Sequence, residues 1–137
     1  MNRLDGLSSL SILEKALDAS WLRNEAISKN LSNIDTPGYK AVNVRFEEEL
    51  TRALESSRLE GKKTREKHMP VGKAKISGIQ PKLQRDNSTS MRLDGNNVDI
   101  DAEMSKLTKN TIMYNTLSQQ ISGALNKIKY VINEGRR

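Results

Sequence analysis

Cysteine is absent from this sequence of 137 residues, which excludes disulfide bonds, thiolate metal sites and a cysteine nucleophile. Aromatic residues are scarce as well: there are five, and none lies between residues 47 and 113. The middle of the chain therefore lacks the side chains for a core comparable to that of the ends. No apolar run approaches the roughly 20 residues that a membrane-spanning helix requires. The first residues contain acids and no small-residue cleavage site, so we expect no cleavable signal peptide.

Positive charge is concentrated in one segment of the chain. The net charge is +6, and residues 61–93 contain nine Lys or Arg against two acids. Such a segment can neutralise phosphates or attract anionic lipid, so binding of an anionic polymer or a membrane surface through residues 61–93 is one open function. However, no aromatic is interleaved to stack on bases, and no helical periodicity gathers the charge on one face. A solvated segment is the favoured interpretation, and no nucleic acid partner is expected.

Hydrophobic residues at both ends of the chain recur at steps of three and four. The N-terminal seam consists of Leu10, Leu13, Leu17, Ser20, Asn24, Ile27, Leu31 and Ile34. The C-terminal seam consists of Met104, Leu107, Thr111, Tyr114, Ser118, Ile121, Leu125, Ile128 and Ile132. This spacing is typical of helices that supercoil against another helix, and the polar positions within it favour one register. We therefore predict a mainly α fold with two long terminal helices in a coiled-coil-like pair, and subunit contacts on the apolar members and Tyr114 of both seams.

The chain divides into three parts of one structural unit. In residues 1–57, a first helix is predicted from about Ser9 or Ser11, either of which can cap it, to about Asp35. Pro37–Gly38 then fits the centre of a type II turn, with proline first and glycine taking the positive φ. A weakly alternating, extended stretch follows and leads into a short helix that ends with this part of the chain.

The other two parts differ in composition. Residues 58–94 are Lys-rich and broken by glycine and proline, which predicts an irregular or small β insert, with Val71–Ile76 as a candidate strand. Residues 95–137 contain the second long helix. Asp99 stands where a carboxylate favours a helix start, and Gly135 marks the predicted end.

No constellation of residues indicates catalysis, a cofactor or a metal. The single histidine, His68, lies in the Lys-rich segment and has no partner suggested nearby. Residues 94–101 superficially resemble a calcium loop, but Val98 occupies a ligand position and the glycine and glutamate of that pattern are missing. A turn followed by a helix cap is the better interpretation. We expect neither enzymatic activity nor a catalytic, cofactor-binding or metal-binding residue.

Two segments resemble a known family. Residues 29–41, KNLSNIDTPGYKA, closely resemble the N-terminal signature of bacterial flagellar rod and hook proteins, in which N-L-x-N-x-x-T-P-G-Y-K closes the first long helix. The residues of this signature turn are Asn30, Asn33, Thr36, Pro37, Gly38 and Tyr39. Residues 95–104, GNNVDIDAEM, followed by the long seam, are similar to the second signature of the family. The resemblance covers about residues 1–57 and 95–137.

The resemblance implies a structural subunit of the flagellar basal body. The chain is too short for the hook and distal-rod members, which carry large extra domains, so a proximal rod subunit is indicated. Such a subunit leaves the cytoplasm through the flagellar type III export apparatus and assembles helically into the periplasmic rod that transmits motor torque. Its implied partners are further copies of itself, other rod proteins, the membrane-ring protein and the adaptor protein between ring and rod.

Overall fold

The computed structural model describes residues 3–58, 78–88 and 92–135. Three helices and two strands follow one another in the order α1 (Arg3–Ser32), β1 (Val42–Arg45), α2 (Glu47–Arg58), β2 (Lys82–Arg85) and α3 (Ile100–Glu134). The predicted fold class is confirmed: the protein is mainly α, with two long terminal helices and a short helix and a small sheet between them. Among the helices of the described ranges, none combines the length and the hydropathy of a membrane span.

The first helix differs from its predicted limits at both ends. It begins at Arg3 rather than at Ser9 or Ser11, because serine is only mildly unfavourable inside a helix and neither residue stops it. It ends at Ser32 rather than at about Asp35. Residues 33–36 form tight turns with hydrogen bonds to the third residue back, which is a common way for the last helical turn to close.

The ends of the other helices follow local signals. Glu47, the first residue of α2, opens an acidic first turn that suits the positive end of the helix dipole. The Asp99 carboxylate accepts hydrogen bonds from the N–H groups of Asp101 and Ala102, at 2.9 and 3.4 Å, and so caps α3. Gly135 follows the last turn, where its N–H donates to the Val131 carbonyl. The predicted cap and stop of α3 are therefore confirmed.

The two long helices lie antiparallel and share a small core with the segment around β1. One cluster of buried core residues consists of Ala16, Ala19, Phe46 and Leu117, and the half-buried side chains packed on it are Leu13, Leu17, Val44, Leu50 and Ile79. The alanines of α1 allow the helices to approach closely, because interaxial distance depends on the side chains at the contact.

The sheet is an antiparallel pair in which Val42 lies opposite Arg85 and Val44 lies opposite Leu83. A two-stranded sheet is marginal in water by itself, so its packing against α1 is what holds it. The predicted small β insert is present as β2 (Lys82–Arg85), whereas the candidate strand Val71–Ile76 lies outside the described residues.

Candidate functional site

The two flagellar signatures meet at one end of the helical pair. We call this region the junction and define it as residues 30–42 together with residues 94–103. The N–H of Gly38 donates to the Asp94 carbonyl at 2.8 Å, which ties the two segments together. They come so close that a Cβ built on Gly95 lies 3.8 Å from the Gly38 Cα.

The turn after α1 has the predicted type II geometry. The N–H of Tyr39 donates to the Thr36 carbonyl at 3.3 Å, and Gly38 has φ +71°. A type II turn needs positive φ at its third position, which glycine adopts without a steric penalty. The Asn33 side chain donates to the Lys29 carbonyl at 2.8 Å and so binds the end of the helix.

Asn30 is the centre of the junction and is fully buried. Its Nδ2 donates to the Val42 carbonyl at 2.9 Å, and its Oδ1 accepts the Val42 N–H at 2.8 Å. The side-chain amide thus pairs with β1 as a neighbouring strand would. Oδ1 also accepts from the Tyr39 hydroxyl at 3.2 Å, and Nδ2 also donates to the Glu103 carboxylate at 3.0 Å. A single side chain therefore joins α1, the turn, β1 and α3.

Glu103 brings a carboxylate into this buried network. Its other oxygen accepts a 2.6 Å hydrogen bond from the Lys106 ammonium, so the buried charge has an opposite charge beside it. Burial raises the pKa of the Tyr39 hydroxyl; the positive charge of Arg85 opposes this rise and the negative charge of Glu103 adds to it. Tyr39 therefore stays protonated, as a donor to Asn30 must. Glu103 and Lys106 were missed by the sequence analysis.

Asn96, in the loop before α3, binds the end of α1. Its buried Nδ2 donates to the carbonyls of Asn33, Ile34 and Thr36 at 3.0, 2.8 and 3.0 Å. Its Oδ1 accepts the Val98 N–H at 2.8 Å. Carbonyl groups beyond a helix end need donors, and here one amide supplies them across about 60 residues of sequence.

Asn97 makes the corresponding link to the sheet of β1 and β2. Its Oδ1 accepts the Ala41 N–H at 2.7 Å, and its Nδ2 donates to the Asp86 carbonyl at 2.9 Å. The local sequence predicts only a turn for this asparagine pair. One signal for their role was available in the sequence, because both asparagines belong to the second family signature. Two adjacent side-chain amides can bind backbone groups on opposite sides of the chain.

A second polar cluster sets the register of the helical pair. Asn110 Nδ2 donates to the Ser20 carbonyl and to Asn24 Oδ1, both at 2.7 Å. Arg23 donates to the Asn110 side chain at 3.4 Å and to both oxygens of Glu47 at 2.6 and 2.7 Å. Asn24, a predicted seam residue, thus contributes to register within one subunit.

The face of α3 that meets α1 is rotated from the predicted seam. The buried residues of α3 are Glu103, Asn110 and Leu117. The predicted seam contains the residues one position later, Met104, Thr111 and Ser118, and the sequence left open which helix that seam meets. Leu107, Tyr114 and Ile121 fit either choice, since they flank both rows, and only contact with α1 decides between them. Thr111 is exposed, and its hydroxyl bonds to the Leu107 carbonyl of its own helix at 2.9 Å.

The predicted interface residues fall into three groups. Ile27 is buried within the subunit. The half-buried group is Leu10, Leu13, Leu17, Leu31, Ile34, Leu107, Tyr114 and Ile121. The exposed group, between 42% and 65% accessible, is Met104, Leu125, Ile128 and Ile132. The second and third groups present apolar surface, and contact with other subunits through them stays a prediction.

The loop before α3 uses its carboxylates for the fold. Asp94 accepts the Asn96 N–H at 3.0 Å and pairs with Arg92 at 2.7 Å, and Asp99 caps α3. Residues 3–58, 78–88 and 92–135 contain no group of His, Asp and Glu that could hold a metal ion. His68 lies outside these ranges.

The basic segment is described only in part. Lys82 and Arg85 belong to β2, and Arg92 pairs with Asp94. The other six cations lie outside the described residues: Lys62, Lys63, Arg65, Lys67, Lys73 and Lys75.

An antiparallel pair of long terminal helices is closed by a junction in which the two signatures bind each other, and the class that these signatures indicate is a structural protein of the flagellar rod. No family model matches the chain. The chain is 37% identical over 124 residues to the flagellar basal body rod protein FlgB of Bacillus subtilis (strain 168). These aligned residues make up 90% of this chain and 92% of that protein. It is 36% identical over 114 residues to FlgB of Borreliella burgdorferi, and these residues make up 80% of this chain and 84% of that protein. For FlgB of Escherichia coli (strain K12), the identity is 29% over 138 residues, with 94% and 97% covered.

This chain belongs to the FlgB family of flagellar basal-body rod proteins. The predicted resemblance is therefore confirmed, and the protein is a structural component of the flagellar basal-body rod. Its relatives are named as rod proteins and not as enzymes.

Proposed function

We propose that this protein assembles helically through its terminal helices and that the resulting rod transmits motor torque. The observation that carries this proposal is the exposed apolar stripe at the end of α3. Leu125, Ile128 and Ile132 are 45%, 42% and 65% accessible and follow Ile121 at helical spacing. The stripe continues the predicted seam, beside the row of Glu103, Asn110 and Leu117 that packs on α1, and its exposure supports burial against another subunit.

The energy of covering this stripe exceeds that of surface ion pairs. Burial of the exposed half of a Leu or Ile side chain contributes about 1 kcal/mol, at roughly 25 cal/mol per Å² of apolar area. An exposed salt bridge contributes about 0–1 kcal/mol and weakens with salt. Helices that pack densely on several neighbours resist twisting, because close-packed interiors have low compressibility. Torque transmission requires this stiffness and no chemistry.

The family resemblance supports the further parts of the proposal. The partners are other copies of this chain, other rod proteins, the membrane-ring protein and the adaptor between ring and rod. The subunit reaches the periplasmic part of the rod through the flagellar type III export apparatus.

The experiment compares Leu125→Asp with Asn126→Asp in cells that lack the natural copy. Both changes add one negative charge at exposed, adjacent positions of α3, but only the first removes an apolar side chain from the stripe. We expect Leu125→Asp to abolish swimming and incorporation into purified basal bodies, and Asn126→Asp to retain both. Circular dichroism of the purified variants checks that both keep their helices. Normal swimming with Leu125→Asp contradicts the proposal.

Ile27 is unsuitable for this test despite its place in the predicted seam. It is 3% accessible, so a carboxylate there is buried without a partner and unfolds the subunit itself.

A further inference from the structure

A groove lies beside the junction, between the second half of α1 and the sheet of β1 and β2. Its volume is about 480 Å³, within the usual range for binding clefts of roughly 300–1,000 Å³. Leu22 of α1 and Leu83 of β2 belong to its apolar lining, and Leu83 is 56% accessible. The groove is open to solvent and offers apolar surface on two opposite walls.

The charges around this groove are mostly positive. Lys29, Lys40 and Arg85 line it, together with one carboxylate, that of Glu25. An occupant therefore gains most if it combines apolar side chains with two negative charges, because complementary potentials favour association and like charges oppose it.

The start of α3 presents a surface of that composition. Ile100 and Met104 are 51% and 46% accessible, and their spacing of four places them on the same side of the helix. Asp99 and Asp101 are exposed beside them. We call Asp99, Ile100, Asp101 and Met104 the α3 start patch.

The patch and the groove lie on different flanks of the subunit. Lys106 Nζ donates to Asn43 Oδ1 at 3.3 Å, so this side of α3 faces β1. Met104 is two residues away and therefore about 200° around the helix, turned from the sheet that forms one wall of the groove. A subunit cannot fill its own groove with its own patch. A contact between the two surfaces on different copies is head-to-tail, the type that generates rings and helical filaments.

We infer that the groove receives the α3 start patch of a second copy of this chain. Ile100 and Met104 enter between Leu22 and Leu83, while Asp99 and Asp101 face the cations of the rim. This inference rests on the proposed self-assembly and names the surfaces for one of its contacts. Two competing occupants have the wrong charge: the groove of another copy and the chain's own residues 61–77 are both net positive.

The test uses the absence of natural cysteine. A chain carrying Leu83→Cys and Met104→Cys is produced in cells without the natural copy, and basal bodies are oxidised and separated on a non-reducing gel. Because each copy then carries both halves of the contact, we expect a ladder of dimers, trimers and longer species. The control carries Leu83→Cys and Ile112→Cys; Ile112 is 63% accessible and lies about 12 Å further along α3. We expect the ladder to be at least tenfold weaker in the control.

Charge reversal provides an independent measurement on the same cysteine pair. Lys29→Glu with Lys40→Glu should reduce the ladder about tenfold, and so should Asp99→Lys with Asp101→Lys. A chain with all four reversals should recover it, since opposite charges face each other again. Circular dichroism of each variant checks its helices, because the second pair also removes the cap of α3.

Some outcomes contradict the groove contact alone, and a different outcome contradicts the proposed function. Equal ladders in the test and control pairs, or none in chains that enter the basal body, contradict the groove contact while rod assembly stands. A benzophenone amino acid at position 83 that attaches to a different protein also contradicts it. Absence of every variant and of the natural chain from the basal body contradicts the proposed function itself.

Discussion

Asn30 and Glu103 are joined by a 3.0 Å hydrogen bond between an amide and a carboxylate that lie 73 residues apart in sequence. Both side chains are buried, and both make further bonds within the junction. The end of α1 and the start of α3 are thereby fixed together. The signature resembled by residues 29–41 thus forms one half of a contact whose other half is the second signature.

The first prediction concerns Asn30. Replacing it with alanine removes four hydrogen bonds and leaves Val42 and Glu103 with unmet buried groups, so the free energy of unfolding should fall by about 2–4 kcal/mol. Urea unfolding measures this loss. The control is Asn33→Ala, whose side chain is partly exposed and bonds only to nearby residues, and it should cost below about 1 kcal/mol. Equal losses contradict the central role of Asn30.

The second prediction concerns the polar pair of the helical interface. Asn110→Ala leaves Asn24 without its partner and should cost about 1–3 kcal/mol in urea. Replacing Asn24 and Asn110 together by leucine should leave stability unchanged or higher, since a matched apolar pair needs no hydrogen bond. The double variant should lose its unique register, as polar seam residues specify register at a cost in stability. Two or more sets of amide signals in its NMR spectrum, against one in the natural chain, measure this. One set in both contradicts it.

The third prediction concerns acid. The N–H of Asn96 and the guanidinium of Arg92 hold the pKa of the Asp94 carboxyl below its ordinary value of 3.8. Folding therefore favours the ionised form, so this contribution is complete above pH 3.8 and is lost as pH falls from there through the lower folded pKa. Urea unfolding of the natural chain and of Asp94→Asn should differ most at neutral pH and converge in acid. A difference that does not change with pH contradicts the assignment.

The fourth prediction concerns glycine. Gly38→Ala places a Cβ where no atom lies within 4 Å, so its cost is the positive φ alone, about 1–2 kcal/mol. Gly123→Ala is the matched change: it also meets no atom within 4 Å but lies inside α3, so it should stabilise by about 1 kcal/mol. Thermal unfolding followed by circular dichroism distinguishes them. A loss of stability in both variants shows that open space around Gly123 is not enough for alanine to stabilise α3 there.

Local signals predicted much of the fold. Pro37–Gly38 specifies its turn because proline restricts φ and glycine accepts the positive φ that follows. Asp99 caps α3 through bonds to the N–H groups of residues two and three positions later. Because these partners are near neighbours in the chain, the local sequence is enough to predict the cap. The predicted start of α1 was wrong, because Ser9 and Ser11 are capping residues that a helix also tolerates in its interior.

The rotation of α3 required contact with α1. The pattern of apolar residues accommodates either the row of Glu103, Asn110 and Leu117 or the row one residue later. Each row contains one apolar residue, Leu117 in the first and Met104 in the second, so the apolar content of these rows does not choose between them, and the first row faces inward. Asn110 finds partners at Ser20 and Asn24, and Glu103 finds them at Asn30 and Lys106. These hydrogen bonds join residues that are distant in sequence, and no periodicity along one helix contains them.

The sequence by itself determined the helical class, the turn, the caps and the resemblance to the flagellar rod and hook family, because each depends on neighbouring residues or on a short motif. The tertiary structure alone decided what the two signatures do for each other. Asn96 and Asn97 are turn residues in sequence, and in the fold they supply donors and acceptors to the end of α1 and to the residues beside β1 and β2. The physical reason is that a buried amide is satisfied by whichever backbone groups the fold brings within about 3 Å, and sequence distance does not limit that choice.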